Sequence, residues 1–495
     1  MQLEFLPEHY QVSVSDMLAY PVFEDEALDA VPVVQLNKLT RNAVRSVIDS
    51  GEFKPERYNT CRIQRPPGLK ARNLLLVGAG KKAQFEPRRL REIAGVAVRT
   101  ARSCNCKSVA FFCRGNHSPQ LAARLAVEGA LYANYEADFY KTRDRQQRDV
   151  ECFRLLFGSR AARKDVDEGI RRGAIIGKAT SLARTLVNEP SNVLTPSLFA
   201  ERALKLGTEA GLKVRVMERE EMQKYGMNTL LAVSRGSDEP PKMIILESGT
   251  IPRKKSERTP VYALIGKGIT FDSGGISLKP SDKMEEMKGD MAGGAAVLGA
   301  MIALAQLRPG LPVIGLIPAV ENLPSGKAIK PGDIVTSYLG KTVEIINTDA
   351  EGRLILADAI AYARNLGATR IIDIATLTGA CIVALGHVNA GMMGTDTEMI
   401  ARLRDNCSIT GEGLWQLPLD EEYRKAIRSD LADIKNVGNR WAGAITAAKF
   451  LQEFVEDTPW VHMDIAGVDQ DNDGRPFAGK GGTGFGVRTL VQLLE

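Results

Sequence analysis

Residues 347–354, NTDAEGRL, place two carboxylates close together in a chain of 495 residues. A β-rich run at 342–346 precedes them and helix formers at 354–360 follow, which predicts Asp349 and Glu351 at the carboxyl end of a strand. Ligands bind at this edge of open α/β sheets, and residues two apart in an extended segment project to one side. Because like charges on one side repel each other, the pair predicts a cation between them.

A second group of charged residues follows another predicted strand, at 261–265. Lys267 and Asp272 lie in the glycine-rich segment GKGITFDSGG, Lys279 comes next, and Asp290 lies in MKGDM at a helix start. Together with the first pair, these carboxylates form an oxygen-rich set that suits hard divalent cations. Four carboxylates suit two cations, which would activate a water held between them. The alternative is that they are turn and helix-cap residues, since aspartate is common in glycine-rich turns.

Other catalytic signatures are missing from the sequence. The chain has four histidines, and neither H-E-x-x-H nor a G-x-S-x-G nucleophile elbow occurs. We interpret the isolated His387 and His462 as structural. The segment GAGKK at 78–82 follows a strand but matches neither nucleotide-binding glycine pattern.

The predicted strands and helices that would position these residues indicate an α/β protein with more than one domain. In residues 1–150 strands are predicted at 31–36, 73–77 and 108–112 and a helix at 88–103, which makes a small α/β domain. Residues 151–187 are interpreted as a linker that runs into a long helix, about 165–187. Residues 188–495 are interpreted as the catalytic domain. Strands are predicted near 243–247, 261–265, 313–317, 342–346, 370–374 and 460–465, with helices between them, which indicates a mostly parallel central sheet flanked by helices.

Composition indicates an ordinary globular protein, with 44% apolar and 25% charged residues. The apolar stretch 292–307 is shorter than a membrane span and is predicted as a buried helix. The N-terminus lacks the pattern of a signal peptide, so we expect a cytoplasmic protein without a membrane partner. Seven cysteines, an odd number, indicate reduced thiols in or near a core.

Basic residues are concentrated in one region, although the net charge is only +5. Residues 51–114 hold 15 Lys and Arg against 4 acidic residues. This excess indicates either a solvated basic face or a surface for DNA or another anion. No nucleic-acid-binding motif accompanies it.

The two charged clusters and their surroundings resemble the leucyl aminopeptidases, also called cytosol aminopeptidases. The resemblance is carried by NTDAEGRL, GKGITFDSGGISLKP (266–280), MKGDM (287–291), LVNEPSNVLTP (186–196), DIATLTGA (373–380) and TGFGVR (483–488). These motifs keep the family's order across most of residues 165–495. One departure is Gly294, where alanine is usual, and it should affect only local helix stability.

The resemblance implies an exopeptidase that removes an N-terminal residue, preferably leucine or another apolar one, from peptides. It implies two divalent cations per subunit, Mn²⁺ or Zn²⁺, whose ligands are Lys267, Asp272, Asp290, Asp349 and Glu351. Asp272 and Glu351 would bridge both cations. Lys267 and Asp290 would complete the tighter site, and Asp349 the readily exchanged one. As a ligand, Lys267 must be a neutral amine.

The resemblance also implies the remaining roles. Lys279 would stabilise the oxyanion, and Arg353 would hold a bicarbonate ion that acts as general base. The positions around the side-chain pocket are Met287, Asn347, Ala350, Thr376, Leu377, Gly379 and the region of Ala466. A homohexamer is implied as well. The alternatives are another dinuclear metallohydrolase, such as a phosphoesterase, and a DNA-binding role alone or beside catalysis.

Overall fold

The computed structural model describes residues 1–7, 9–27, 31–143, 145, 148–158, 161–251 and 259–495. The chain forms two compact units. Unit 1 comprises Met1–Ser181 and Asn472–Lys480, and unit 2 comprises Leu182–Asp471 and Gly481–Glu495. The expected small N-terminal and larger C-terminal α/β parts are therefore both present, but a short late segment of the chain belongs to the first unit.

Unit 1 is built on a six-stranded sheet. Its strands are β1 Gln2–Phe5, β2 Met17–Val22, β3 Thr60–Gln64, β4 Asn73–Gly78, β5 Ser108–Cys113 and β6 Cys152–Phe157. Its helices are α1 Val31–Leu39, α2 Ala43–Asp49, α3 Pro87–Ser103, α4 Pro119–Asn134 and the first part of α5, Arg163–Asn188. The strand order is β1-β6-β5-β2-β4-β3, and all pairs are parallel except β3 with β4.

Two predictions in this part of the chain are wrong. Residues 31–36 are helix α1 rather than a strand, and the buried positions Val33, Leu36, Asn37 and Thr40 have the helical spacing. Short apolar runs fit either element. The segment 151–187 is not only a linker helix, because β6 lies in it and pairs with both β1 and β5. Helix α5 covers the predicted helix.

Three glycines four residues apart let helix α5 approach helix α4 closely. A Cβ atom would lie 2.3 Å from the Gln120 carbonyl oxygen at Gly169 and 2.5 Å from that of Arg124 at Gly173. At Gly177 it would lie 2.7 Å from Leu131. The absence of side chains along this stripe sets the distance between the two helices.

Unit 2 is built on a nine-stranded sheet of order β16-β15-β18-β14-β9-β11-β8-β7, with β10 paired to β11. The strands of unit 2, including those of two smaller sheets, are β7 Lys213–Met217, β8 Lys242–Ser248, β9 Tyr262–Gly266, β10 Gly268–Asp272, β11 Val313–Asn322, β12 Ile334–Thr336, β13 Thr342–Glu344, β14 Arg370–Ala375, β15 Asn389–Gly394, β16 Gly413–Gln416, β17 Ile434–Lys435, β18 Trp460–Asp464, β19 Gln470–Asp471 and β20 Gly481–Gly482. The helices are α6 Pro196–Glu209, α7 Arg219–Tyr225, α8 Asn228–Val233, α9 Ala292–Leu307, α10 Gly352–Asn365, α11 Gly379–Leu385, α12 Thr397–Thr410, α13 Gly443–Val455 and α14 Val487–Leu494.

The centre of this sheet is parallel, as predicted, and its carboxyl edge carries the polar residues. Strands β11, β9, β14 and β18 run parallel to one another, whereas β7, β8 and β15 join through antiparallel pairs. The strand predicted at 342–346 is shorter than expected, Thr342–Glu344, and it lies outside the central sheet. It is β13, which belongs to the separate sheet β12-β13-β17. Strand propensity is local, but membership of a sheet depends on distant partners.

Helix α9 is a core helix, as predicted. Residues Met284–Leu307 have the length and composition of a membrane span, but 78% of their apolar window is buried inside the protein. Glycines hold the start of α9 against the strands: a Cβ at Gly293 would lie 2.1 Å from the Ile374 carbonyl oxygen. Gly294 also has a packing role, because a Cβ added there would lie 2.7 Å from Ile317.

All seven cysteines are free thiols, as expected.

We predict that Gly173→Ala destabilises the protein by about 1–3 kcal/mol, because the added methyl must push α5 away from a backbone carbonyl. Helix propensity alone predicts the opposite sign, a gain of up to ~1 kcal/mol. The shift in the denaturation midpoint decides between them. Gly326→Ala is the control, since its Cβ meets nothing within 4 Å.

Candidate metal centre

Three carboxylates from different elements converge in unit 2. Asp272 is the last residue of β10, Asp290 follows the 3-10 helix Met284–Gly289, and Glu351 precedes α10. Each offers one oxygen, and these atoms all lie within 4.8 Å of one another. The exposed fractions are 2%, 7% and 2%. Unpaired carboxylates at such burial are strongly unfavourable.

Two lysines occupy this carboxylate cluster. Lys267 donates from Nζ to Asp290 Oδ1 at 2.7 Å and to the Thr376 carbonyl at 2.9 Å, and it lies 2.9 Å from Glu351 Oε1. Lys279 Nζ lies 2.8 Å from Asp272 Oδ2 and 2.5 Å from Asp349 Oδ1. The structure thus brings together all five predicted ligands and Lys279.

The charge of the cluster perturbs the pKa of its members. Burial lowers the pKa of Lys267, but Asp290, then Glu351 and Asp272, raise it by more, so the net pKa is raised. Burial raises the pKa of Asp290 well above its usual range, and it also raises the pKa of Glu351. The carboxylates of the cluster therefore favour the ammonium form of Lys267, and the neutral amine that the resemblance implies requires the field of bound cations.

The residues present fit bound cations. Asp290 Oδ2 and Glu351 Oε2 are buried and have no hydrogen-bond partner within the described residues. Such orphaned carboxylate oxygens are costly unless something binds them. Oxygen atoms around a small buried space, with one amine, are donors that Mn²⁺ and Zn²⁺ accept.

A glycine turn fixes Asp272. Gly274 has φ +88°, and its backbone N–H donates to Asp272 Oδ1 at 2.9 Å. Asn322, the last residue of β11, donates to the same oxygen at 2.8 Å and to the Thr348 carbonyl at 3.0 Å. Asn322 therefore ties one carboxylate of the cluster to the NTDAEGRL segment.

The NTDAEGRL segment is a turn rather than the predicted extended stretch. Residues 348 and 349 form the turn, and Glu351 has helical backbone angles, φ −82° and ψ −34°. Asn436 braces it: its Oδ1 accepts from Ile346 N at 2.8 Å and its Nδ2 donates to the Asn347 carbonyl at 2.6 Å. Asp349 and Glu351 thus reach the cluster because the chain turns at this point. They do not lie on one face of an extended strand.

Arg353 is buried at the start of α10, with an exposed fraction of 7%. Its Nη1 donates to the Asn436 carbonyl at 2.9 Å, and its Nε has no hydrogen-bond partner among the residues described. Burial lowers its pKa to about 10, against the opposing effect of Glu351 and Asp464.

The residues predicted around the side-chain pocket lie on segments that flank the carboxylates. Thr376 Oγ1 donates to Asp290 Oδ1 at 2.7 Å, and the Leu377 amide donates to Asp464 Oδ1 at 3.1 Å. Asn347 Oδ1 accepts from the Asp349 amide at 2.9 Å. The others are Ala350 in the same turn, Gly379 at the start of α11, Met287 in the 3-10 helix and Ala466 after β18.

Known proteins resemble this chain over nearly its whole length. Residues 181–491 match the model of the cytosol aminopeptidase family, catalytic domain, and residues 20–144 match that family's N-terminal domain. A probable cytosol aminopeptidase of Acidobacterium capsulatum is 47% identical over 473 residues, 94% of this chain and 92% of that protein. One of Alkaliphilus oremlandii is 42% identical and covers 100% of this chain and 99% of its own.

Solved structures show the same likeness over nearly the whole chain. A mutant of tomato leucine aminopeptidase has a TM-score of 0.89 at 31% identity and covers 100% of this chain and 96% of its own. The bottromycin maturation enzyme BotP, in complex with Mn, has a TM-score of 0.85 at 32% identity and covers 97% and 99%. The chain belongs to the cytosol aminopeptidase family. It is a metal-dependent aminopeptidase, a hydrolase that acts on peptides.

Three residues that support the site were not predicted from the sequence: Asn322, Asp464 and Asn436. Asn322 and Asp464 each end a strand at the carboxyl edge of the sheet, and that position was the signal by which they could have been found. Asn436 has no such signal, because it lies more than eighty residues after the turn that it braces.

We predict that Asn436→Ala destabilises the protein by about 1–3 kcal/mol, because it leaves the Ile346 amide and the Asn347 carbonyl without a partner. Activity should fall with it, since the turn carries two of the predicted ligands. Chemical denaturation and metal content check both effects. Asn439→Ala, a nearby exposed asparagine, should change stability by less than ~0.5 kcal/mol.

Proposed function

We propose that the chain is a leucyl-type aminopeptidase with two divalent cations per subunit, Mn²⁺ or Zn²⁺. The observation that carries the proposal is the buried set of Asp272, Asp290 and Glu351 with its two orphaned oxygens. The proposed ligands are Lys267, Asp272, Asp290, Asp349 and Glu351. Bound there, the cations supply an activated water and polarise the scissile carbonyl.

Lys279 is proposed to stabilise the negative charge that develops on the carbonyl oxygen. Its Nζ lies between two carboxylates, Asp272 and Asp349. Burial lowers the pKa of Lys279, but the charges of Asp272 and Glu351 raise it by more, which favours the ammonium form. An ammonium ion in a site that excludes water stabilises an oxyanion far more than an ammonium ion in solution does.

Arg353 is proposed to hold a bicarbonate ion, which supplies the general base. A buried guanidinium with one hydrogen-bonded nitrogen and an unpartnered Nε suits a planar anion. Asn436 accepts from Nη1 and so limits the rotation of the side chain.

Substrate choice is proposed to depend on a free α-amine and on an apolar side-chain pocket. The proposed pocket residues are Met287, Asn347, Ala350, Thr376, Leu377 and Gly379. An apolar pocket separates substrates by only ~1–3 kcal/mol per methylene. Leucine should therefore be preferred in a graded way over smaller apolar residues.

Three further features belong to the same proposal: a homohexamer, a cytoplasmic location and no membrane partner. A size-exclusion mass near the 53.9 kDa of one chain would reject the hexamer. A phosphoesterase would cleave p-nitrophenyl phosphate instead of Leu-p-nitroanilide. A DNA-binding role predicts a gel shift that survives competitor DNA, whereas purely electrostatic binding is lost as salt rises.

Chelator-stripped protein should lose turnover of Leu-p-nitroanilide and regain it with Mn²⁺ or Zn²⁺, and bestatin should inhibit the restored activity. Glu351→Ala should abolish activity, because it removes one of the proposed metal ligands. Glu285→Ala is the matched control, since this carboxylate is exposed on the nearby 3-10 helix. Full activity in Glu351→Ala would contradict the assigned site.

Lys279→Met should lower kcat by about 10²–10³ with little change in KM, because the lost interaction forms mainly in the transition state. Lys327→Met, an exposed lysine, is the control. Steady-state kinetics on both variants with equal metal content is the measurement. A rise in KM at constant kcat would assign Lys279 to substrate binding instead.

A further inference from the structure

One carboxylate of unit 2 takes no part in the proposed chemistry and lies among the residues proposed for the side-chain pocket. Asp469 comes shortly after β18, and its amide donates to the Ile465 carbonyl at 3.1 Å. Residues 465–469 therefore form a turn, which contains Ala466. The Asp469 side chain is partly exposed, so a ligand in the proposed pocket can reach it.

Asp469 packs against the 3-10 helix that carries Met287. A Cβ added at Gly289, the last residue of this helix, would lie 3.5 Å from Asp469 Oδ2 and 2.2 Å from Gln470 Nε2. The missing side chain at Gly289 therefore lets both residues approach the backbone of the helix. This contact lies one residue before Asp290, a proposed metal ligand.

Hydrogen bonds join the same region to the end of β14. Thr376 Oγ1 donates to Asp290 Oδ1 at 2.7 Å, and the Leu377 amide donates to Asp464 Oδ1 at 3.1 Å. The end of β14 is thus tied both to the 3-10 helix and to the end of β18. These are the segments that carry the proposed pocket residues, and Asp469 belongs to one of them and packs against another.

The charge of Asp469 has no compensating cation among the described residues. Burial raises the pKa of Asp469 to about 7, although hydrogen bonds from its own amide and from Gln470 lower it, and the carboxylate of Glu286 raises it further. No lysine or arginine in the described part of the chain forms an ion pair with Asp469. A partly buried carboxylate beside a second carboxylate is unfavourable unless a cation comes from outside.

The first residue of a peptide substrate can supply this cation. Lysine and arginine side chains combine an aliphatic stem, which suits apolar walls, with a charged end that seeks a polar partner. Apolar walls alone separate substrates only by size and shape, and weakly. A carboxylate at the edge of such a pocket adds discrimination by charge.

We propose that Asp469 is a specificity-determining residue: its carboxylate binds the cationic end of an N-terminal lysine or arginine side chain. Peptides with a basic first residue are then good substrates beside those that begin with leucine. The inference rests on the proposed function, since it names a further substrate class for the same pocket. Asp469 forms only an ion pair, and none of its bonds changes in the reaction.

Lysine and norleucine test this, because both side chains have an unbranched four-carbon stem and only lysine adds an ammonium group. The assay is run at about pH 8.5, where the lysine side chain, with a pKa of ~10.4, is charged. The measured quantity is kcat/KM for Lys-p-nitroanilide divided by kcat/KM for norleucine-p-nitroanilide. In Asp469→Asn this ratio should fall about 10–100-fold, while kcat/KM for the norleucine substrate changes by less than ~threefold.

Two further variants complete the comparison. Asp469→Glu keeps the charge and should retain most of the wild-type ratio. Glu285→Gln removes an exposed carboxylate of the neighbouring 3-10 helix, and it should leave the ratio unchanged. If Asp469→Asn does not fold, Asp469→Ser gives the same comparison, since the ratio is internal to each variant.

An unchanged ratio in Asp469→Asn would overturn the inference, and so would an equal fall in Glu285→Gln, which a general effect of surface charge predicts. A wild-type protein that cleaves Leu-p-nitroanilide and rejects Lys-p-nitroanilide would overturn the inference alone. Metal-loaded wild-type protein that cleaves neither substrate would overturn the proposed function as well.

Discussion

The repulsion among buried carboxylates is the constraint on which the rest of unit 2 depends. Asp272, Asp290 and Glu351 are held within a few ångströms of one another in a region almost closed to water. Such an arrangement persists only where positive charge compensates it. Lys279 provides part of that charge, and the orphaned oxygens indicate that cations provide the remainder.

Side chains from different elements of the fold hold these carboxylates in place. Asn322 holds Asp272 from the end of β11, and Asn436 braces the turn that carries Glu351. Gly352 leaves room for Lys267, because a Cβ at this position would lie 2.5 Å from the Lys267 side chain.

The charged cluster was predictable because its members follow strands or lie in glycine-rich turns that the sequence displays. The helix at α9 was predictable for a similar local reason, its continuous apolar run. Asn436 was not, since its contact with the turn joins residues far apart in the chain. The same holds for β13, whose strand character is local but whose partners, β12 and β17, are not. These two errors fall where a distant contact decides the structure, whereas the error at 31–36 is local, because a short apolar run fits either a helix or a strand.

Unit 1 is assembled from two separated stretches of the chain, since Asn472–Lys480 belongs to it together with Met1–Ser181. No single cut of the backbone therefore releases the whole of this unit. During synthesis its last segment leaves the ribosome only after nearly all of unit 2 has done so. The N-terminal part is accordingly not an interchangeable module, because the segment that completes it is synthesised only after Leu182–Asp471 of the catalytic part.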